Sequence, residues 1–340
     1  MRAAIFHEAG KPLEIVSVAD PVPADDQVVL AVRGAGICGS DLHVTQYPGL
    51  MADGTVLGHE FSGTVVAMGK NVTGWKEGAH VTGLPILTCH TCEACQANLP
   101  GLCSNSQFVG TTLTSPGAYA QYVAVPAQFL QAIPNGVSDA EAAMVEPLAV
   151  AHHTVDRADI KPDDRVLVIG GGPIGAAVAL FARAKGARSV VVSEPAEARR
   201  ERAKELGATG VIDPSHEDVG ARFAALAGGA PSVVFECVGV PGMLSQAVQL
   251  AGLRARIVVA GVVFTEDSFT ALTAMARELS IIYSQTYLER DFSAVIDALA
   301  HGRINAKPLH TRTITLDELP DAFEALRNNP RECKVIIQPS

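Results

Sequence analysis

Two periodicities divide the chain. Up to about residue 134 the apolar positions fall in short β-branched runs broken by glycine and proline, the pattern of strands joined by tight turns. Residues 2–6 and 13–18 flank a Gly-Lys-Pro turn, and a stiff Pro-Val-Pro loop at 21–23 precedes a strand at 28–32. Residues 61–68 alternate directly after His59-Glu60, 80–82 continue the β pattern, and 117–125 return to it. Residues 40–46 predict a short helix with Ser40 or Asp41 near its N-cap. Cys38 then lies in the preceding loop, its sulfur at the positive end of a helix dipole. At Ser138-Asp139-Ala140-Glu141 a capping box opens a helical stretch, and a second helix is expected over 148–158.

From Arg165 the period changes. Apolar strands at 166–169, 189–193, 210–213, 232–236, 256–260 and 279–284 alternate with helical segments, which predicts an α/β doubly wound six-stranded parallel sheet. Amphipathic helices at 292–300 and 317–327 then surround a strand at 309–315, and a last strand at 334–337 implies a return to the first domain. The expected organisation is a β-rich antiparallel catalytic domain over 1–150, a doubly wound domain over 151–289, and the return over 290–340.

Composition narrows the function. At 340 residues the chain exceeds one comfortable core, and its 31 glycines suit an α/β enzyme with many tight loops. A net charge of −10 without a long basic run disfavours nucleic acid and anionic membranes as partners. The first ten residues lack the apolar core of a signal peptide, and the most apolar run, 166–182, is broken by four glycines and a proline. A cytoplasmic location is expected.

Four of the seven cysteines, Cys89, Cys92, Cys95 and Cys103, crowd into fifteen residues with the spacing C-x2-C-x2-C-x7-C. In a reducing compartment that means metal rather than disulfides, and four thiolates satisfy tetrahedral zinc with no open position. A structural zinc lobe over 88–104 is implied; nothing else in the chain speaks for the one-electron chemistry of an iron–sulfur cluster. A second donor set frames residues 34–60: Cys38, His59 and Glu60 are ligand types that zinc takes when it keeps a position open for substrate. Asp41 suits an acceptor for the distal nitrogen of His59, and Ser40 with His43 offers a short proton path.

A third cluster is Gly170-Gly171-Gly172-Pro173-Ile174-Gly175, set between a β-branched strand and a helix, with Glu194 nineteen residues after Gly175. Such glycines let backbone N–H groups and a helix N-terminus face a pyrophosphate, while Glu194 accepts ribose hydroxyls and repels a 2′-phosphate. NAD is therefore expected over NADP. Arg199 and Arg200 complicate this, since either can neutralise a phosphate; the alternative reading sets them on a solvent-facing helix, with Arg199 along the adenine. NAD beside zinc defines hydride transfer between a carbinol carbon and nicotinamide, with the proton leaving through Ser40 and His43.

In order along the chain stand GICGSDLH, GHEFSGTVVAMGKNV (fitting G-H-E-x2-G-x5-G-x2-V), the four-cysteine lobe, Glu146-Pro147-Leu148 and VLVIGGGPIG. Together these resemble the zinc-containing medium-chain dehydrogenases, end to end, in the polyol branch (sorbitol, butanediol and threonine dehydrogenases). The resemblance implies a GroES-like β domain and a Rossmann domain. It implies Cys38 and His59 as catalytic zinc ligands, Glu60 at or behind the metal, and Glu146 where primary-alcohol enzymes carry a second cysteine. Which of the two glutamates binds zinc directly stays open. It also sets Val238, Gly239, Gly261, Val262 and Ser284 along the cofactor, and Tyr47, Leu57 and Phe108 near the substrate. His152 and His153 read as a helical surface pair, with one of them facing cofactor or substrate as the alternative. The implied reaction takes a secondary alcohol of diol or polyol type to a ketone, with threonine and glucose-type sugars as open alternatives. A zinc-free quinone or enoyl reductase of the same fold is opposed by Cys38, His59 and Glu146. Edge pairing through 279–284 would give a homodimer or homotetramer.

Overall fold

The computed structural model describes residues 1–328 and 331–339. The chain separates into two compact units, one of Met1–Glu146, Leu288–His301 and His310–Ser340, the other of Pro147–Tyr287 and Gly302–Leu309. Among the described residues no helix is long and apolar enough to cross a membrane.

The first unit is built on the strand Gln27–Gly36, which pairs antiparallel with Glu60–Met68, Tyr122–Pro126 and Lys334–Gln338. Val28, Leu30, Val32 and Ala35 on this strand are buried, and together with Phe61, Val123 and Ile337 they form the core. The sheet runs Leu130–Ala132, His80–Gly83, Glu60–Met68, Gln27–Gly36, Lys334–Gln338, His310–Thr315, and Tyr122–Pro126 joins it at Gln27–Gly36. A smaller sheet joins Glu14–Ser17, Arg2–Phe6 and Thr55–Val56.

The strand register brings the candidate ligands into one place. Gly36 stands opposite Glu60 and also opposite Ile336. Because the strands are antiparallel, the chain leaving Gly36 toward Cys38 and the chain entering Glu60 from His59 meet at the same end. Two candidate ligands twenty-one positions apart in sequence are thereby brought together.

Two helix starts differ from the sequence expectation. The short helix is Gly39–Val44 with Cys38 at its N-cap, and no side chain caps it. It starts earlier because Gly39 and Ser40 already take helical conformation, so Ser40 is freed from a capping role. The helix expected over 148–158 is Val145–Ala158 and so contains Glu146 and Pro147. Proline is tolerated in a first turn, where its missing N–H has no intrahelical acceptor, and Glu146 there faces the favourable end of the dipole. The capping box at Ser138 forms as expected and opens Asp139–Ala143.

In the second unit six parallel strands stand in the order Gly210–Ile212, Ser189–Ser193, Arg165–Ile169, Val233–Glu236, Arg256–Val259, Ser280–Tyr283. Every residue of Ser189–Ser193 and Val233–Glu236 is buried, as suits a parallel sheet covered by helices on both faces. Strand order reverses on the two sides of Arg165–Ile169, the place where such sheets open a crevice at the carboxyl ends of their strands.

Candidate active site and metal centres

Cys38, His59 and Glu60 offer ligand atoms that all lie within 4.8 Å of one another. His59 is buried, and its Nδ1 lies 3.3 Å from Oδ1 of the equally buried Asp41. That contact fixes Nδ1–H toward the carboxylate and leaves Nε2 for a cation. Burial alone would lower the imidazole pKa, but Asp41 and Cys38 outweigh it and hold His59 well above the ordinary histidine range. The pocket thus draws positive charge onto the ring, which a zinc ion would supply in place of the proton. The residues fit a zinc ion.

Glu60 is fully buried, and Lys334 Nζ donates to both its oxygens at 2.6 and 2.7 Å and to the Ile37 carbonyl at 3.0 Å. Burial pulls the Lys334 pKa down, and the Glu60 carboxylate more than restores it, so Lys334 stays charged. Gly36 makes room for the pair: a Cβ there would lie 2.1 Å from Glu60 Oε2. Lys334 is a site residue that sequence reading missed. A lysine opening an otherwise apolar strand was the available signal.

Ser40 is exposed and its hydroxyl donates to Cys38 Sγ at 3.2 Å; His43, also exposed, lies three positions on along the same helix. Glu146 is buried in the first turn of its helix. Of the substrate-pocket expectations, Phe108 meets the His59 ring edge-on at 6.2 Å and Tyr47 is exposed. Leu57 is wholly within the core, because its strand-like neighbours Val56 and Gly58 are laddered to Gly117 and Ala118. His152 and His153 are half-buried rather than a surface pair, and His152 sits edge-on to Phe181 at 5.3 Å.

The ligand atoms of Cys89, Cys92, Cys95 and Cys103 likewise converge within 4.8 Å, with sulfur–sulfur separations of 3.5, 3.6 and 3.9 Å. Tetrahedral zinc with bonds of about 2.3 Å places its sulfurs roughly 3.8 Å apart. The fit is close. Backbone and side-chain hydrogen bonds from Thr91 pull Cys89 down to about 5, while burial and the neighbouring thiols push Cys95 up to about 11. A shared cation would hold all four as thiolates.

In the second unit Gly172 caps the helix Pro173–Ala184, with Pro173 and Ile174 opening it and Gly170 at the end of the first strand. Gly175 packs against that strand so closely that a Cβ would fall 1.9 Å from the Gly170 carbonyl oxygen. Gly170 N–H is bonded to the Ser193 carbonyl and Gly171 N–H to Glu194, so what this turn offers a pyrophosphate is the helix N-terminus that begins at Gly172. Glu194 is buried beside it and accepts N–H bonds from Gly171 at 2.8 Å and Ala196 at 2.9 Å. Arg199 approaches to 4.0 Å of Glu194 Oε2. Arg200 is committed elsewhere, to the carbonyls of Glu194 and Pro195 and to Asp213. It is therefore not placed to meet a phosphate.

The loops after the fourth and fifth strands interlock. Glu236 Oε1 accepts N–H bonds from Val238 at 2.7 Å and Gly239 at 3.0 Å, and a Cβ on Gly261 would lie 2.3 Å from Glu236 Oε2. Val238 and Val262 are exposed on these loops, and the Ser284 hydroxyl is 3.2 Å from that of Thr154. Cys237 is half-buried, and desolvation with Glu236 beside it pushes its pKa upward, against a thiolate. Sequence reading missed Glu236 as the organiser of these loops.

Known proteins agree with this architecture. The family model described as alcohol dehydrogenase GroES-like domain matches residues 24–135, and the one described as zinc-binding dehydrogenase matches 173–301. A curated relative from Pseudoalteromonas atlantica, 2-dehydro-3-deoxy-L-galactonate 5-dehydrogenase, is 36% identical over 322 residues, covering 93% of this chain and 92% of its own. A zinc-binding dehydrogenase from Sinorhizobium meliloti 1021, solved with NADP, superposes with a TM-score of 0.91 at 33% identity, covering 99% of each chain. An alcohol dehydrogenase from Escherichia coli CFT073, solved with NADH, gives 0.91 at 30% identity and the same coverage. The chain belongs to the zinc-containing medium-chain dehydrogenases, NAD(P)-dependent oxidoreductases, in their polyol branch.

Proposed function

We propose that the protein oxidises a secondary hydroxyl of a polyhydroxy substrate, a diol, polyol or sugar acid, to a ketone with NAD, and runs the reverse reduction. The observation that carries this is the convergence of Cys38, His59 and a buried carboxylate at one end of a strand pair. The relative named as a 5-dehydrogenase acts, by that name, at an internal carbon of a sugar acid. Zinc at this site supplies Lewis acidity toward a hydroxyl, and NAD supplies the hydride acceptor.

The chain's own residues divide the remaining work. Cys38 and His59 hold the metal, and Asp41 orients the His59 ring. Glu60 stands within ligand reach, but both its oxygens are taken by Lys334, and releasing it would strand a buried ammonium. We therefore read Glu146 as the carboxylate ligand and Glu60 as the one behind. Ser40 accepts the departing proton and passes it to His43, which reaches solvent from the same helical face.

Glu194 selects NAD. Its carboxylate is buried and held by two main-chain N–H bonds, so it cannot swing away from a 2′-phosphate. Of the two arginines on the neighbouring helix, Arg199 alone is left to compensate. The last parallel strand, Ser280–Tyr283, pairs on one side only among the described residues; Tyr283 on it and Leu272 and Met275 on the helix before it are exposed. A second copy of the chain covers that edge in a dimer or tetramer. Seven cysteines, none of them in a disulfide, suit the reducing cytoplasm.

The test is reduction of NAD and of NADP across diols, polyols, sugar acids, secondary alcohols and threonine, with the metal present and stripped. Turnover that survives loss of the metal at Cys38 and His59 sinks the mechanism; turnover of primary alcohols alone sinks the substrate class.

A further inference from the structure

Tyr119 is, with Tyr287, the largest fully buried side chain among the described residues, and it lies in none of the motifs that carry the chemistry. Its phenol donates to Asp41 Oδ2 at 2.6 Å and lies 3.3 Å from the Gly36 carbonyl oxygen. The other oxygen of Asp41 is the one that faces His59. The Tyr119 backbone N–H bonds to Leu57 at 2.9 Å, and Ala118 bonds to Gly58 at 2.8 Å, immediately before His59. Gly58 has φ +102°, and a Cβ there would lie 2.5 Å from the Tyr119 ring. One residue therefore touches the strand that leads to Cys38, the helix that carries Asp41 and the segment that delivers His59.

We infer that Tyr119 is a positioning residue for the metal: its hydroxyl locks Asp41, and through Asp41 aims the His59 imidazole. A core tyrosine needs some acceptor, but this one is given the free oxygen of the carboxylate that already holds the ligand. With both oxygens engaged, Asp41 cannot rotate about its carboxylate axis, and the His59 ring is fixed in tautomer and in plane.

The inference rests on the catalytic-zinc reading above. The test uses the full zinc-loaded chain and Tyr119→Phe, which removes one oxygen and keeps the ring. Competition with a chromogenic chelator measures the zinc held outside the four-cysteine lobe, and cobalt placed there reports ligand geometry through its visible bands. Tyr119→Phe is expected to weaken that zinc about tenfold, the low end for losing a hydrogen-bonded partner behind a ligand, and to shift the cobalt bands. Zinc in the cysteine lobe is unaffected. Asp41→Asn weakens the site at least as much, and Tyr119→Phe added to it changes nothing further. Zinc affinity within about twofold of the parent with unmoved bands overturns the inference, as do effects that add in the double variant. Should Tyr119→Phe fail to fold, 3-fluorotyrosine at 119 makes the phenol a stronger donor at nearly the same size; cobalt bands that stay fixed then overturn it. A parent chain that binds zinc in the cysteine lobe alone defeats the catalytic-zinc reading, and this inference falls with it.

Discussion

Replacing Lys334 by methionine keeps the side-chain volume and deletes one charge from a pair that water does not reach. Both members are buried, and the ammonium donates twice to Glu60 and once to the Ile37 carbonyl. Removing one partner of such a pair leaves an uncompensated buried charge and costs about 3–5 kcal/mol. In a unit of this size that is roughly 10 °C of melting temperature. The partner beside the metal gives the prediction its second, opposite sign. Glu60 lies within 4.8 Å of the donor atoms of Cys38 and His59, so the freed carboxylate can turn to a cation. Zinc is therefore expected to restore more stability to Lys334→Met than it adds to the parent. Thermal unfolding of metal-stripped and zinc-loaded chains reads both effects. In the double variant with Glu60→Gln the losses do not add, with a coupling of about 2–3 kcal/mol. If Lys334→Met costs only the ~1 kcal/mol of an exposed pair, or if the two losses add, the ion pair does not hold the site.

The geometry sets three other outcomes. Gly175→Ala forces a methyl onto the Gly170 carbonyl, so it should cost about 1–3 kcal/mol and weaken NADH binding more than tenfold by fluorescence titration, with the metal content unchanged. Cys92→Ser removes one of four converging sulfurs and should lower the zinc content by one ion per chain while opening residues 88–104 to protease; intact resistance would contradict a structural zinc there. Asp164 is buried, which opposes its charge, but bonds from the Lys161 N–H, Ser232 and Arg256 prevail and hold its pKa below the ordinary carboxylate value. Asp164→Asn should therefore cost about 2 kcal/mol at neutral pH, and the gap to the parent should be constant above about pH 5 and close as pH falls through the folded-state value, since the depressed group loses its stabilising charge only there.

The doubly wound sheet was legible because strands buried on both faces read as unbroken apolar runs, and because the glycine turn marks which strand comes first. The cysteine lobe was legible for a related reason: its ligands are local in sequence. Lys334 was not, since its partner lies 274 positions away and no periodicity encodes a pairing of that range. The helix expected over 148–158 begins three residues earlier, at Val145, because a first turn accepts Pro147. Residue type suggests Ser40 or Asp41 as the cap, whereas the backbone places Cys38 there and leaves the Ser40 hydroxyl for the sulfur. Glu146 and the loop residues Val238 and Val262 were reached only through family likeness, because nothing in their own neighbourhoods distinguishes them from surface or loop positions.

The two metal centres also differ in when they can exist. In the lobe, Cys89 and Cys103 are 14 positions apart, so a folding chain can close it locally. The sheet behind the other centre is completed only when the Lys334–Gln338 strand returns, with Lys334 reaching Ile37 across a span of 297. On loop-closure entropy alone that costs roughly 3 kcal/mol more. On the proposed ligand assignment a newly made chain is expected to fill the lobe first and to complete the site of Cys38 and His59 when the Lys334–Gln338 strand docks. Zinc arriving at the second centre is then a report that the sheet has closed, which makes metal content at that site a measure of complete folding.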